Sequence, residues 1–203
     1  MKGIRFLSTV IVIVIVTASV ACNSATAEPP QRPQVVNHAA PGNLESNHDL
    51  GCIGGEQIEN RYTPTDLYKS VAVCVRAGRY READLLFAVA GVYGRFDTLR
   101  VSDKSSHQAT QVALMQALAP LDEARKTAFR ESLPKLFGDP QGLASSCREI
   151  ERTGPPNYFP RYMIQHGMGA FLPAVPGNGL VENFDPKAAW KQSLDSYLHC
   201  PAS

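Results

Sequence analysis

The chain has 203 residues, and its 20 Lys and Arg nearly balance 19 Asp and Glu, for a formal charge of +1. That balance, with no basic stripe and no aromatic platform, argues against nucleic acid as a partner. The length fits one domain large enough to bury a real core.

Residues 1–21 read as a secretory signal. Lys2 and Arg5 supply the positive start, Phe6 to Val16 the apolar run, and small residues follow. The run is too short, and too close to cleavage signals, for a stable membrane span. Two cleavage readings compete. Ser19-Val20-Ala21-Cys22 resembles a bacterial lipobox, which implies that Cys22 is lipidated and becomes the new N-terminus. Ser19 departs from the aliphatic residue common there. The alternative is ordinary cleavage after Ala25-Thr26-Ala27. Asn23, following the cysteine, resembles the sorting pattern of outer-membrane lipoproteins. Either route exports the chain to the periplasm, and losing Lys2 and Arg5 leaves 18 cations against 19 acids.

The cysteines fit an oxidising compartment. Cys22 aside, Cys52, Cys74, Cys147 and Cys200 remain, an even number that implies two disulfides. Four cysteines allow three pairings, and sequence does not choose among them. The expectation adopted is Cys52 with Cys74 and Cys147 with Cys200, each stabilising the fold by about 2–4 kcal/mol. Neither a C-x-x-C pair nor a paired-histidine spacing is present, so no metal site and no cofactor is expected.

Residues 22–50 read as a flexible tether, rich in Pro, Asn, Ala and Gln and poor in large apolar side chains. His38 and His48 would be solvated linker residues. The helical domain then spans 51–203, entered through Gly51-Cys52-Ile53-Gly54-Gly55. This glycine pair lacks the lysine and strand–helix context of a phosphate loop and reads as a turn beside a disulfide.

Pro64 to Asp97 is the organising stretch, two helices joined by a turn at Gly78. Leu67, Val71, Cys74 and Val75 line one side of the first, and Ala83, Leu86, Phe87 and Ala90 one side of the second. Thr63 or Thr65 can cap the first helix, with Pro64 in its opening turn. Gly91 and Gly94 are expected to loosen the end of the second. Gly78, Tyr80, Ala83, Phe87 and Ala90 resemble the turn and second helix of a tetratricopeptide repeat. Cys74 and Arg95 depart from that motif, and only about one 34-residue unit matches. Tyr93, Arg95 and Phe96 form a candidate contact edge, with burial of the two aromatics as the structural alternative.

Ser102 or Asp103 can open a third helix with Val112, Met115 and Leu118 on one face. Asp103 and His107, four apart, have the spacing of an acid–base pair, though surface pairing is the simpler meaning. Pro120 ends that helix, and a charged helix follows that Pro134 should stop. Asp139-Pro140 is a cap followed by a first-turn proline, opening a helix to about Arg152 with Leu143, Cys147 and Ile150 on one side. Tyr158 to Phe171 is chemically the most distinctive stretch. Arg161, Tyr162, Gln165 and His166 would share a helical face. His166 is either a base with Tyr162 or Arg161 as stabiliser, or a buried hydrogen-bonding residue in a helix made close-packing by Gly167 and Gly169. No G-x-S-x-G or free cysteine supplies a nucleophile. Leu172 to Glu182 is a candidate contact loop. Asp185-Pro186 starts the last helix, with Trp190, Leu194, Tyr197 and Leu198 as its apolar face.

The expected fold is all-α, an irregular domain of about six helices built on the repeat-like hairpin and braced by two disulfides. Size, signal, disulfides and hairpin together resemble the small exported immunity proteins of bacterial secretion systems. That resemblance implies a non-enzymatic protein whose partner is a cognate toxin delivered to the periplasm. The alternatives are an envelope scaffold or assembly lipoprotein, and a small hydrolase centred on His166. Arg161, Tyr162 and His166 join Tyr93, Arg95 and Phe96 as candidate binding residues.

Overall fold

Among the described residues seven helices make up the architecture: α1 (Pro64–Arg76), α2 (Tyr80–Arg100), α3 (Ala109–Leu118), α4 (Glu123–Phe137), α5 (Pro140–Thr153), α6 (Arg161–Ile164) and α7 (Pro186–Tyr197). They belong to one compact unit, Asn37–Ser203. The computed structural model describes residues 39–173 and 176–200, with the side chains of 176 and 177 left aside. The expected signal sequence, the expected lipidation site Cys22 and the expected tether as far as residue 38 lie outside the described residues. Among the described residues the nearest thing to a sheet is a single antiparallel bridge between Val101 and Leu180.

The α1–α2 hairpin is the spine. Thr63 caps α1 by accepting from the Asp66 N–H, and Asp66 accepts in return from the Thr63 N–H. At the other end Gly78 takes φ +71° while Arg79 N–H bonds to Cys74 O and Gly78 N–H to Val75 O. This left-handed stop needs a residue without a Cβ. Leu67, Val71, Cys74 and Val75 of α1 and Ala83, Leu86 and Ala90 of α2 are all buried, while Phe87 is partly buried and packed on the same core. Both disulfides form, Cys52–Cys74 tying the entry segment to α1 and Cys147–Cys200 tying α5 to the residues after α7. Two such bonds place the folded chain in an oxidising compartment outside the cytoplasm.

Several local expectations change. α2 does not loosen at Gly91 and Gly94 but runs on to Arg100. A Cβ at Gly91 would collide with the Tyr197 ring, and one at Gly94 with the Thr110 side chain. These glycines therefore let α7 and α3 lie close against the middle of α2. α3 starts later than the capping residues suggest, and Asp103 instead caps a 3-10 turn over Lys104–Ser106. Its buried residues are Ala109 and Ala113, with Leu114 and Leu118 partly buried on the core, whereas Met115 points out at 56% exposure. Close packing of α3 on α1 selects the small side chains and turns Met115 outward. α4 continues through Pro134 to Phe137; the proline sits in the last turn, where Gly138 N–H still caps it through Pro134 O. α5 and α7 begin where their Asp-Pro pairs place them, with Asp139 and Asp185 accepting N–H bonds from their first turns.

The tether boundary also moves. Residues from 39 to 50, which composition assigns to a flexible segment, pack on the helices. Ala40 is buried, Leu44 N–H bonds to Tyr162 O, and Ser46 to His48 wrap around Asp66. His48 is a partner of that carboxylate through Nδ1 at 3.1 Å, not a solvated linker residue. Much of what holds this segment is hydrogen bonding to one buried charge, which a count of apolar residues does not register.

Candidate interaction surfaces

The residues expected to form a binding edge are distributed differently. Tyr93 is fully buried and Phe96 is 2% exposed, both packed on Trp190 at ring distances of 6.1 and 6.3 Å. The aromatic edge is thus core, the structural alternative, because α7 lies across that face of α2. Arg95 is half-buried and donates to Ser196 Oγ. Arg161, Tyr162 and His166 do not share a helical face, since α6 is a single turn. Arg161 is exposed beside Gly42, Tyr162 is buried at 2%, and His166 is half-buried with Nδ1 2.9 Å from Asn43 Oδ1. Burial pushes the His166 imidazole below its ordinary value, so at neutral pH it is an uncharged donor to Asn43. Asp103 and His107 do not pair either. His107 Nε2 bonds to Val101 O, and Asp103 accepts from Ser105 N–H, Ser105 Oγ and Gly169 N–H.

Sequence reasoning missed the group that organises this end of the molecule. Asp97 is wholly buried on α2 and accepts from Tyr162 Oη at 2.8 Å, Tyr158 Oη at 3.0 Å and Arg100 Nε at 2.8 Å. Arg100 Nη2 lies 2.7 Å from the same oxygen, in ion-pair range but poorly aligned for a hydrogen bond. The guanidinium is sandwiched between the Phe96 and Tyr158 rings, 5.1 and 5.0 Å from their centres. Burial first, and then the Asp97 charge, push both phenols well above their ordinary value, so they remain donors. An i,i+3 Asp–Arg pair is the one hint in the sequence, and it looks like any surface pair. Only the docking of Tyr158 and Tyr162 makes it a buried junction.

That junction fixes a loop with an apolar crest. Before the loop, Tyr158 and Tyr162 anchor to Asp97; after it, Val181 N–H bonds to Arg100 O and Ser102 N–H to Gly179 O. Between these anchors Met168 N–H bonds to Ser105 Oγ and Gly169 N–H to Asp103 Oδ2, both at 2.8 Å. A Cβ at Gly167 would meet the Asp103 carboxylate, so Gly167 allows close approach to the 3-10 turn and not to a second helix. On this clamped backbone Met168, Leu172, Phe171 and Phe159 are 72%, 62%, 54% and 52% exposed. Exposed apolar side chains gathered in one short segment mark a contact surface.

A second surface is concave. A groove of about 520 Å³ lies between α2, α5 and the 3-10 turn Gly55–Gln57. Leu85 and Leu136 supply apolar lining, while Glu56, Arg81, Glu82 and Glu149 add charge. Its turn is held by Arg152 Nη2 donating to Gly55 O at 2.8 Å. Each disulfide staples one wall, Cys52 just before the turn and Cys147 within α5. Glu82 is paired with Arg79 and Glu149 with Arg152.

No family model matches the chain, and neither the curated proteins nor the solved structures contain a match.

Proposed function

We propose that this protein is a non-enzymatic binding protein of the cell envelope, and within that class an immunity protein that neutralises a toxin delivered to the periplasm. The observation that carries the reading is the stapled groove between α2 and α5. It pairs an apolar lining with charged residues, and two disulfides fix two of its walls, the segment before the 3-10 turn and α5. A preformed groove loses little conformational freedom on binding, which favours a tight complex with a single partner. A contact of about 800 Å² per partner, the usual size for such complexes, would extend from the groove over α2 and α5.

The test is capture of partners by the mature chain from its own organism under oxidising conditions, beside a Ser145→Arg variant that fills the groove. One stoichiometric partner, lethal when expressed alone in the periplasm and lost with Ser145→Arg, supports the reading. Recovery of many envelope proteins favours the scaffold. A single partner that Ser145→Arg still captures would remove the groove from the account.

A further inference from the structure

The apolar crest of the α6 loop is separate from the groove, and its chemistry differs. From Pro155 to Val181 the sequence contains no Asp or Glu, only Arg161 and His166 among titratable side chains other than tyrosine. Lys104, exposed on the 3-10 turn that packs against Met168–Phe171, adds a second permanent cation. Among the described residues neither Lys104 nor Arg161 is in an ion pair. The nearest carboxylate on that turn, Asp103, is taken up by Ser105 and Gly169. Exposed Phe, Leu and Met side chains in a segment that carries unpaired cations are what the headgroup boundary of an anionic bilayer accepts.

Where the chain enters the fold points the same way. Gly42 lies under Arg161, Asn43 bonds to His166 and Leu44 to Tyr162 O, so the N-terminal segment joins the domain at α6. If Cys22 carries lipid, residues 23 to 38, 16 in number (38 − 22), link it to Ala39, three residues before Gly42. Even fully extended they reach at most about 58 Å, so a lipid on Cys22 would hold the domain by the end at which α6 and the crest lie. We propose that Phe159, Met168, Phe171 and Leu172, flanked by Arg161 and Lys104, dock the domain onto a membrane surface bearing anionic headgroups. The clamps to Asp97, Arg100 and Asp103 hold the crest in its projecting form, so insertion requires no unfolding of the loop.

Vesicle flotation tests this with the exported chain lacking any lipid, Asn23 to Ser203, which contains the whole compact unit. Two vesicle types serve as probes, pure phosphatidylcholine and a mixture with about one third phosphatidylglycerol. At low salt the chain is expected to float with the anionic vesicles and weakly with the neutral ones. Phe171→Ser with Leu172→Ser should reduce partitioning by roughly tenfold or more. Lys104→Ala with Arg161→Ala should reduce it by roughly tenfold on anionic vesicles alone. Removing two cations elsewhere, Arg130→Ala with Arg148→Ala, should leave it unchanged, and circular dichroism checks that each variant is folded. No flotation of the parent chain, equal flotation on both vesicle types, or indifference to the crest substitutions would each overturn the proposal. So would crest variants that float normally but no longer capture the protein partner, because the crest would then be a protein contact. Failure of the groove experiment has no bearing on these readouts.

Discussion

Replacing Asp66 with Asn should be among the most damaging single-atom changes the protein can suffer. Asp66 is fully buried at the start of α1. Its Oδ1 accepts from Ser46 Oγ and the N–H groups of Asn47 and His48, and its Oδ2 from Thr63 N–H, Thr63 Oγ1 and His48 Nδ1. An asparagine keeps one oxygen and turns the other into a donor. Whichever way it flips, three donors face an NH₂, and at least one of them is a backbone N–H that cannot turn away. Bonds to a charged acceptor contribute about 1.5–3 kcal/mol each, and a buried donor left without a partner costs about 1–3 kcal/mol. Partial relaxation of the Ser46–His48 segment recovers some of this, so the expected loss is about 3–5 kcal/mol. Burial pushes the Asp66 carboxyl up, but the bonds from His48, Thr63 and Ser46 outweigh it and hold the group below its ordinary value. A depressed carboxyl contributes stability that is complete above its unfolded value, about 3.9, and is lost as pH falls through the folded value. Urea unfolding of both proteins with disulfides intact, from pH 7 to pH 3, is the assay. The gap should be constant down to about pH 4.5 and narrow below it. A gap under about 1 kcal/mol at pH 7, or one that does not narrow in acid, would refute the reasoning.

Asp84 behaves in the opposite sense. It is buried at 3% exposure with, among the described residues, only Ser132 Oγ donating to it, and burial pushes its carboxyl up to about 6. Its ionisation therefore opposes folding as pH rises from about 4 to 6, and Asp84→Asn should raise stability at pH 8 by about 1–2 kcal/mol with no gain at pH 4. Calorimetry at the two pH values checks this, and an equal shift at both would sink it. Opening Cys147–Cys200, which spans 53 residues, should cost about 4 kcal/mol, against about 3 kcal/mol for Cys52–Cys74 across 22. Chemical denaturation of the double-serine variants gives the comparison; a larger loss from the shorter loop would contradict the loop-closure account. Gly91→Ala gains helix propensity yet meets the Tyr197 ring, so it should destabilise by about 1–2 kcal/mol net. In a Tyr197→Ala background the same change should become neutral or stabilising, and a double-mutant cycle without that coupling would show that α7 does not press on α2 there.

Local chemistry made much of the framework legible in advance. Leu67, Val71 and Val75 repeat at helical spacing, Gly78 supplies the positive φ that the hairpin turn needs, and the Asp139-Pro140 and Asp185-Pro186 pairs start their helices on the expected residue. These signals are legible because they act within a few residues of themselves. The number of disulfides likewise follows from the four cysteines left once Cys22 is set aside, whereas their pairing is a matter of which helices meet.

What the tertiary structure alone decided is which side chains face one another across long sequence gaps. Gly91 and Gly94 look like helix breakers until Tyr197 and Thr110 are laid against them. Residues 46 to 48 look like linker until Asp66, some twenty positions on, gathers their donors. Tyr93 and Phe96 look like an exposed edge until Trp190 covers them, while Met168, Phe171 and Leu172 are turned outward by a carboxylate more than sixty residues earlier. The sequence by itself determined an all-helical, cysteine-paired chain, because periodicity and capping are local patterns. Burial is a property of the assembled neighbours, so the buried Asp97 junction, the stapled groove and the apolar crest came only with the fold.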